Sequence, residues 1–180
     1  MAGCLTLVAL AALAPVAAWR PLIFVAAWIK VVSRYPRSAV EEMTHEEWHE
    51  FVMAGTRTGK LAVVRADGAP HVKPIWFVLD GDDFVFNTSE TSLTGRVLRR
   101  DPRVSLLVDD EEPPFAYVLV TGSAVIDPEI EGMREWATRI GGRYMGEERA
   151  EEFGTRNAVP GELLVRVTPT KVLARRGIAD

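Results

Sequence analysis

From Thr44 onward the chain switches repeatedly between helical and strand-like spacing of its apolar residues. Trp48, Phe51 and Val52 are spaced for one face of a helix over Thr44 to Ala54, with Gly55 placed to end it. Thr44 followed three residues later by Glu47 is a capping-box pattern, in which the two side chains satisfy free amides at a helix start. The period then changes to strand. Gly59 to Ala66, His71 to Leu79 and Asp83 to Thr88 read as three successive strands, joined by turns at Asp67-Gly68 and at Asp80 to Asp82. Ser92 to Arg100 reads as a helix, with Thr91 as candidate cap and Asp101-Pro102 closing it.

Two further strands, Arg103 to Val108 and Phe115 to Ile126, flank an acidic loop. Asp127-Pro128 is a strong helix start, predicting a helix to Ile140. A short helical stretch over Glu147 to Phe153 precedes a final strand pair, Glu162 to Val167 and Thr170 to Ala174, bent at Pro169. Six or seven short strands with helices inserted after the third and the fifth predict a mainly β, α+β architecture, a closed antiparallel barrel carrying helical decorations.

Residues 1–42 have a different composition from the rest. Residues 5–29 are almost all apolar, long enough to span a bilayer, but Pro15 and the Arg20-Pro21 pair interrupt them. A membrane anchor, a cleaved signal and a non-native extension all remain open. Lys30, Arg34 and Arg37 follow the apolar run, so the domain of residues 43–180 is expected in the cytoplasm, with any membrane contact confined to residues 1–42. The net charge of −4 argues against a general nucleic-acid binder, and the single cysteine excludes an internal disulfide.

Two segments offer chemistry. In one, a strand ending at Asn87 and Thr88 runs into a hydroxyl-rich helix start, Ser92, Leu93, Thr94, Gly95 and Arg96. Helix amides, hydroxyls and an arginine make a phosphate cradle, though hydroxyls also serve as plain caps. In the other, alternation sends His71, Lys73, Ile75 and Phe77 to one face and Val72, Pro74, Trp76 and Val78 to the other. Lys73 would then be a cation beside an aromatic surface, and Pro74 marks a bulge or an edge. His45 and His49 have metal-compatible spacing, but only His71 remains as a third imidazole; the pair reads as a solvated helix face and no metal is expected. No phosphate-loop lysine or nucleophile elbow is present, and no hydrolytic triad is visible.

The runs Arg65 to Phe77, Asp80 to Thr88 and Leu98 to Val104, with later runs from Pro113, Trp136 and Val159, together resemble the F420-dependent branch of the pyridoxamine-phosphate-oxidase-like split-barrel proteins. The resemblance covers residues 44–176 and rests on the order and spacing of these runs. It implies a split barrel that pairs as a homodimer, with coenzyme F420 in a groove between two barrels. On this resemblance Lys73, Pro74, Ile75 and Trp76 would flank the deazaflavin ring, while Asn87, Thr88 and Ser92 to Arg96 would hold the phosphate. One departure stands out: many relatives carry a lysine where this chain has Thr94. The implied reaction is hydride transfer to an unsaturated small molecule; the rivals are an FMN-dependent enzyme and a non-catalytic protein that binds F420 or heme. No catalytic residue is singled out, the needed proton being available from Tyr117, His71 or water.

Overall fold

The computed structural model describes residues 40–127 and 132–179. The apolar run of residues 5–29 and the helix start at Pro128 lie outside these residues. Among the described residues no helix is long and apolar enough to cross a membrane. The strands are β1 (Glu41–Glu42), β2 (Gly59–Val64), β3 (Pro70–Ile75), β4 (Val78–Asp80), β5 (Asp83–Ser89), β6 (Arg103–Asp110), β7 (Ala116–Asp127) and β8 (Glu162–Arg176). The helices are α1 (His45–Met53), α2 (Leu93–Arg100), α3 (Met133–Met145) and α4 (Ala150–Asn157), with a short 3-10 turn over Glu147–Arg149.

All strand pairs are antiparallel, and the sheet runs β3-β2-β6-β7-β8-β5-β4, with β1 added to β8. β3 and β4 adjoin in sequence yet are the two ends of this order, so the sheet rolls into a barrel that stays open between them. The closed barrel read from the pattern is thus corrected to a split one, as the family resemblance implied. The expected strand His71 to Leu79 breaks at Trp76 and Phe77, which cross from one edge to the other. Alternation explains the break. Ile75, Phe77 and Val78 are all buried, and a straight strand cannot turn both Phe77 and Val78 inward.

The run Phe84-Val85-Phe86 of β5 is apolar without alternation because both faces are covered there. Phe84 and Phe86 enter the main barrel core with Leu61, Leu106, Val118 and Val165. Val85 turns the other way, into a smaller core with Val78, Met133, Ile140 and Leu164 beneath α3. Thr88 continues the inward parity of Phe84 and Phe86 and is 5% exposed. Across the opening, Lys73 shares its parity with core Ile75. The seam therefore brings a lysine from one edge toward a threonine from the other.

The capping box at Thr44 forms as expected, each side chain reaching the other residue's amide at 3.2 and 2.8 Å. Backbone pairing begins slightly earlier, at Glu41 and Glu42, which lie opposite Arg176 and Arg175. Four other boundaries differ from the pattern. Ser92, not Thr91, caps α2, its Oγ accepting from the amide of Gly95 at 3.0 Å. α3 continues past Ile140 through Gly141 and Gly142 to Met145, and a side chain on Gly141 would meet the Cβ of Phe153 at 2.5 Å. Close packing against α4, rather than helix breaking, is what that glycine serves. α4 in turn extends beyond Phe153 to Asn157, and the final strand pair is one strand, β8, whose bulge is absorbed opposite Thr121 and Gly122.

Candidate functional site

At the open seam lies a groove of about 310 Å³ lined by Lys73, Pro74, Ile75, Trp76, Asn87, Phe153, Arg156 and Asn157. Trp76 is held by ring stacking on Tyr144, with centroids 4.9 Å apart and planes 2° from parallel, and Phe153 leans on it at 5.8 Å. The Tyr144 hydroxyl donates to the carbonyl of Arg57 at 2.8 Å and accepts from the amide of Phe77 at 3.3 Å. That fixes the strap between β3 and β4. Trp76 nevertheless remains 38% exposed, a large aromatic surface left at a groove wall.

Lys73 is half-buried. Its ammonium makes one hydrogen bond among the described residues, donating to Thr88 Oγ1 at 3.2 Å. Burial lowers its pKa, and the negative charge of Glu162 partly opposes that shift. An ammonium has three donors, so most of its capacity is unspent. Thr88 Oγ1 in turn lies 3.1 Å from Ser92 Oγ, which links the lysine to the start of α2. Asn87 donates to Glu162 at 3.2 Å across the β5–β8 pair.

The expected site residues therefore divide into three places. Lys73 to Trp76 and Asn87 line one groove, with Thr88 and Ser92 joined to it through hydrogen bonds. Leu93 and Arg96 line a second cavity, about 330 Å³, together with Arg65 and Arg100. Arg96 there donates to the carbonyl of Thr91 at 2.6 Å. Thr94 and Gly95 face neither, since Thr94 is 1% exposed. A Cβ on Gly95 would meet the carbonyl oxygen of Ser89 at 2.4 Å, so this glycine lets α2 seat against the preceding turn.

Sequence reading missed Arg156, Phe153 and Asn157 as groove residues. Its short helix stopped at Phe153, whereas one more turn carries Arg156 to the groove; the guanidinium stands 5.6 Å from the Phe153 ring. Two cations, Lys73 and Arg156, lining one groove with an exposed aromatic suit a planar anionic group. These residues could neutralise its charge and cover its ring.

The fold has solved relatives. A conserved hypothetical protein from Mycobacterium tuberculosis is 26% identical, with a TM-score of 0.68 over 79% of this chain and 90% of its own. An F420 reductase is 27% identical, with a TM-score of 0.54 over 68% of this chain and 94% of its own. The heme storage protein from Vibrio cholerae, 20% identical with a TM-score of 0.59 over 74% of this chain and 96% of its own, shares the fold. The family model described as pyridoxamine 5'-phosphate oxidase matches residues 44–176. Because that match runs from the Thr44 cap to the end of β8 and takes in both edges of the seam, the chain belongs to the pyridoxamine 5'-phosphate oxidase family.

Proposed function

We propose that this protein is a reductase that uses reduced coenzyme F420, held at the seam groove, to reduce an unsaturated small molecule. The observation that carries this reading is the pairing of Lys73, a half-buried ammonium with unspent donors, with the exposed ring of Trp76. The likeness to an F420 reductase supports it. When bound, the reduced deazaflavin supplies the hydride.

The chain's own residues have simpler tasks. Lys73 and Arg156 neutralise anionic groups, and charge-assisted hydrogen bonds in a partly desolvated groove are stronger than neutral ones. Trp76, fixed by Tyr144, covers an aromatic ring and keeps water from one side of it. Thr88 and Ser92 hold the Lys73 ammonium toward the helix start. Exposed Val64 and Val72, 44% and 60% exposed on the neighbouring strands, support a second copy completing the groove as a homodimer.

Titration of the purified protein with coenzyme F420, FMN and heme, followed by fluorescence and absorbance, tests the reading. Saturable binding of F420, tighter than that of the other two, is expected. Preference for FMN would move the protein to the flavin-dependent enzymes of this fold. Preference for heme would make it a carrier, and no binding of any of them would remove the cofactor assignment.

A further inference from the structure

The turn between β4 and β5 carries Asp82 against the exposed side of α1, away from the groove residues. His45 and His49 are one helical turn apart and so project from the same face. Their Nε2 atoms lie 2.9 and 2.8 Å from the same oxygen of Asp82. All three ligand atoms fall within 4.8 Å of one another.

The rings are held in place. The two imidazole centroids are 4.4 Å apart, and Trp48 packs on His49 at 4.0 Å and edge-on to His45 at 5.4 Å. Trp48 is 5% exposed and stacks on Phe84 of β5, so the helix face and the strand that follows the Asp82 turn share one rigid contact. The capping box fixes the first turn of α1, and Arg176 holds Glu47 at 2.7 Å. Ordering three side chains normally opposes ligand binding; here much of that order exists beforehand.

Two imidazole nitrogens and a carboxylate oxygen are the donor set of a zinc-class ion. Bonds of about 2.0–2.2 Å in a tetrahedral shell set donors about 3.3–3.6 Å apart, within the 4.8 Å spread that these three atoms already occupy. In the present arrangement Asp82 accepts hydrogen bonds from both Nε2 positions. A metal ion would take both Nε2 lone pairs in place of those hydrogen bonds, each neutral ring then carrying its single proton on Nδ1 after a change of tautomer.

We propose that His45, His49 and Asp82 form a site for one divalent transition-metal ion of the zinc class, with the remaining coordination position open to water. The segment His45-Glu46-Glu47-Trp48-His49 also has the letters of the His-Glu-x-x-His zinc motif. His45 and Asp82 face open solvent, their side chains 56% and 59% exposed, so the assignment is to metal binding and to no reaction.

Isothermal titration of the untagged full chain with zinc chloride tests this. One saturable site per chain is expected, weakened at least about tenfold, roughly 1.4 kcal/mol, in His49→Ala and in Asp82→Asn. His71→Ala and Cys4→Ser, which alter the other imidazole and the thiol, should leave binding unchanged. Because Trp48 touches both rings, its fluorescence gives a second reading: copper(II) should quench it saturably in the native chain and not in Asp82→Asn. Circular dichroism of His49→Gln checks that α1 stays folded when a ligand is lost. Absence of saturable zinc binding overturns the proposal, as does binding that survives both ligand variants or disappears in His71→Ala or Cys4→Ser.

Discussion

Arg143 and Lys73 are both half-buried cations near the Trp76–Phe77 strap, and burial lowers the pKa of each. Their surroundings differ completely. The Arg143 guanidinium donates to the carbonyls of Val52 and Phe77 at 2.6 and 2.7 Å and to that of Gly55 at 3.1 Å, while lying over the Phe77 and Tyr144 rings. It ties α1, the strap and α3 together and has nothing left to offer a ligand. Lys73, by contrast, meets one neutral hydroxyl. Two cations of similar burial thus separate into one with its donors used and one with donors in reserve. The same test, applied to charge alone, would not distinguish them.

Five experiments can break or sharpen this contrast. Arg143→Ala should cost the most, about 2–4 kcal/mol of stability, because it leaves buried carbonyls without partners. Denaturant unfolding with an unchanged slope would register that loss, and a variant as stable as the native chain would remove the structural role. Lys73→Ala should leave the melting temperature nearly unchanged and weaken F420 binding roughly ten- to a hundredfold, equivalent to about 1.4–2.8 kcal/mol.

A pH series sharpens the same point. The folded-state pKa of Lys73 lies below the ordinary lysine value of 10.5, so between the two the unfolded chain holds more protons. Stability of the cofactor-free protein should therefore rise slightly with pH across that interval, while affinity for an anionic ligand falls. Lys73→Arg should hold its affinity to higher pH.

Arg96→Ala should have a smaller effect on F420 affinity than Lys73→Ala, since Arg96 opens into the separate cavity with Arg65 and Arg100. An equal or greater loss would place an anionic group of the cofactor in that second cavity. The smallest change is expected on starting the chain at Met43. This removes the exposed pairs of Glu41 with Arg176 and Glu42 with Arg175, a loss of less than about 1 kcal/mol for each, measured by thermal unfolding. Met43 itself is 8% exposed, so cutting past it would reach the core.

Much of the barrel was legible in the residues. The capping box, the Asp67-Gly68 and Gly81 turns and the strand of Asp83 onward announce themselves through local chemistry, which the tertiary structure leaves in place. The misread boundaries share a cause in long-range packing. Gly141 and Gly142 look like a helix end, but Phe153 of α4 packs on Gly141 and Glu147 of the 3-10 turn on Gly142, and the helix continues. His71 to Leu79 looks like one strand, but the seam has to be crossed and Phe77 is drawn inward. The site followed the same rule. Lys73, Trp76 and Asn87 could be read from their own segments, whereas Arg156 depended on one further turn of a helix. The metal-site candidate divides in the same way: the His45–His49 spacing is in the sequence, and Asp82 reaches it only through the fold, 33 residues beyond His49.

Among the described residues the open seam leaves β3 paired on one side only, and an exposed edge is an invitation to unwanted strand addition. Pro70 and Pro74 stand an even number of residues apart on that strand, opposite Val64 and Lys60 of β2. An antiparallel ladder engages the backbone of alternate residues, and prolines fit at the alternate positions facing away, where they have no N–H to offer. The edge therefore presents a broken row of donors despite the exposed Val72 side chain between them. The split that opens the groove carries its own protection against fibril-like self-assembly: replacing both prolines with β-branched residues would restore the missing donors and turn the mouth of the groove into a template for polymerisation.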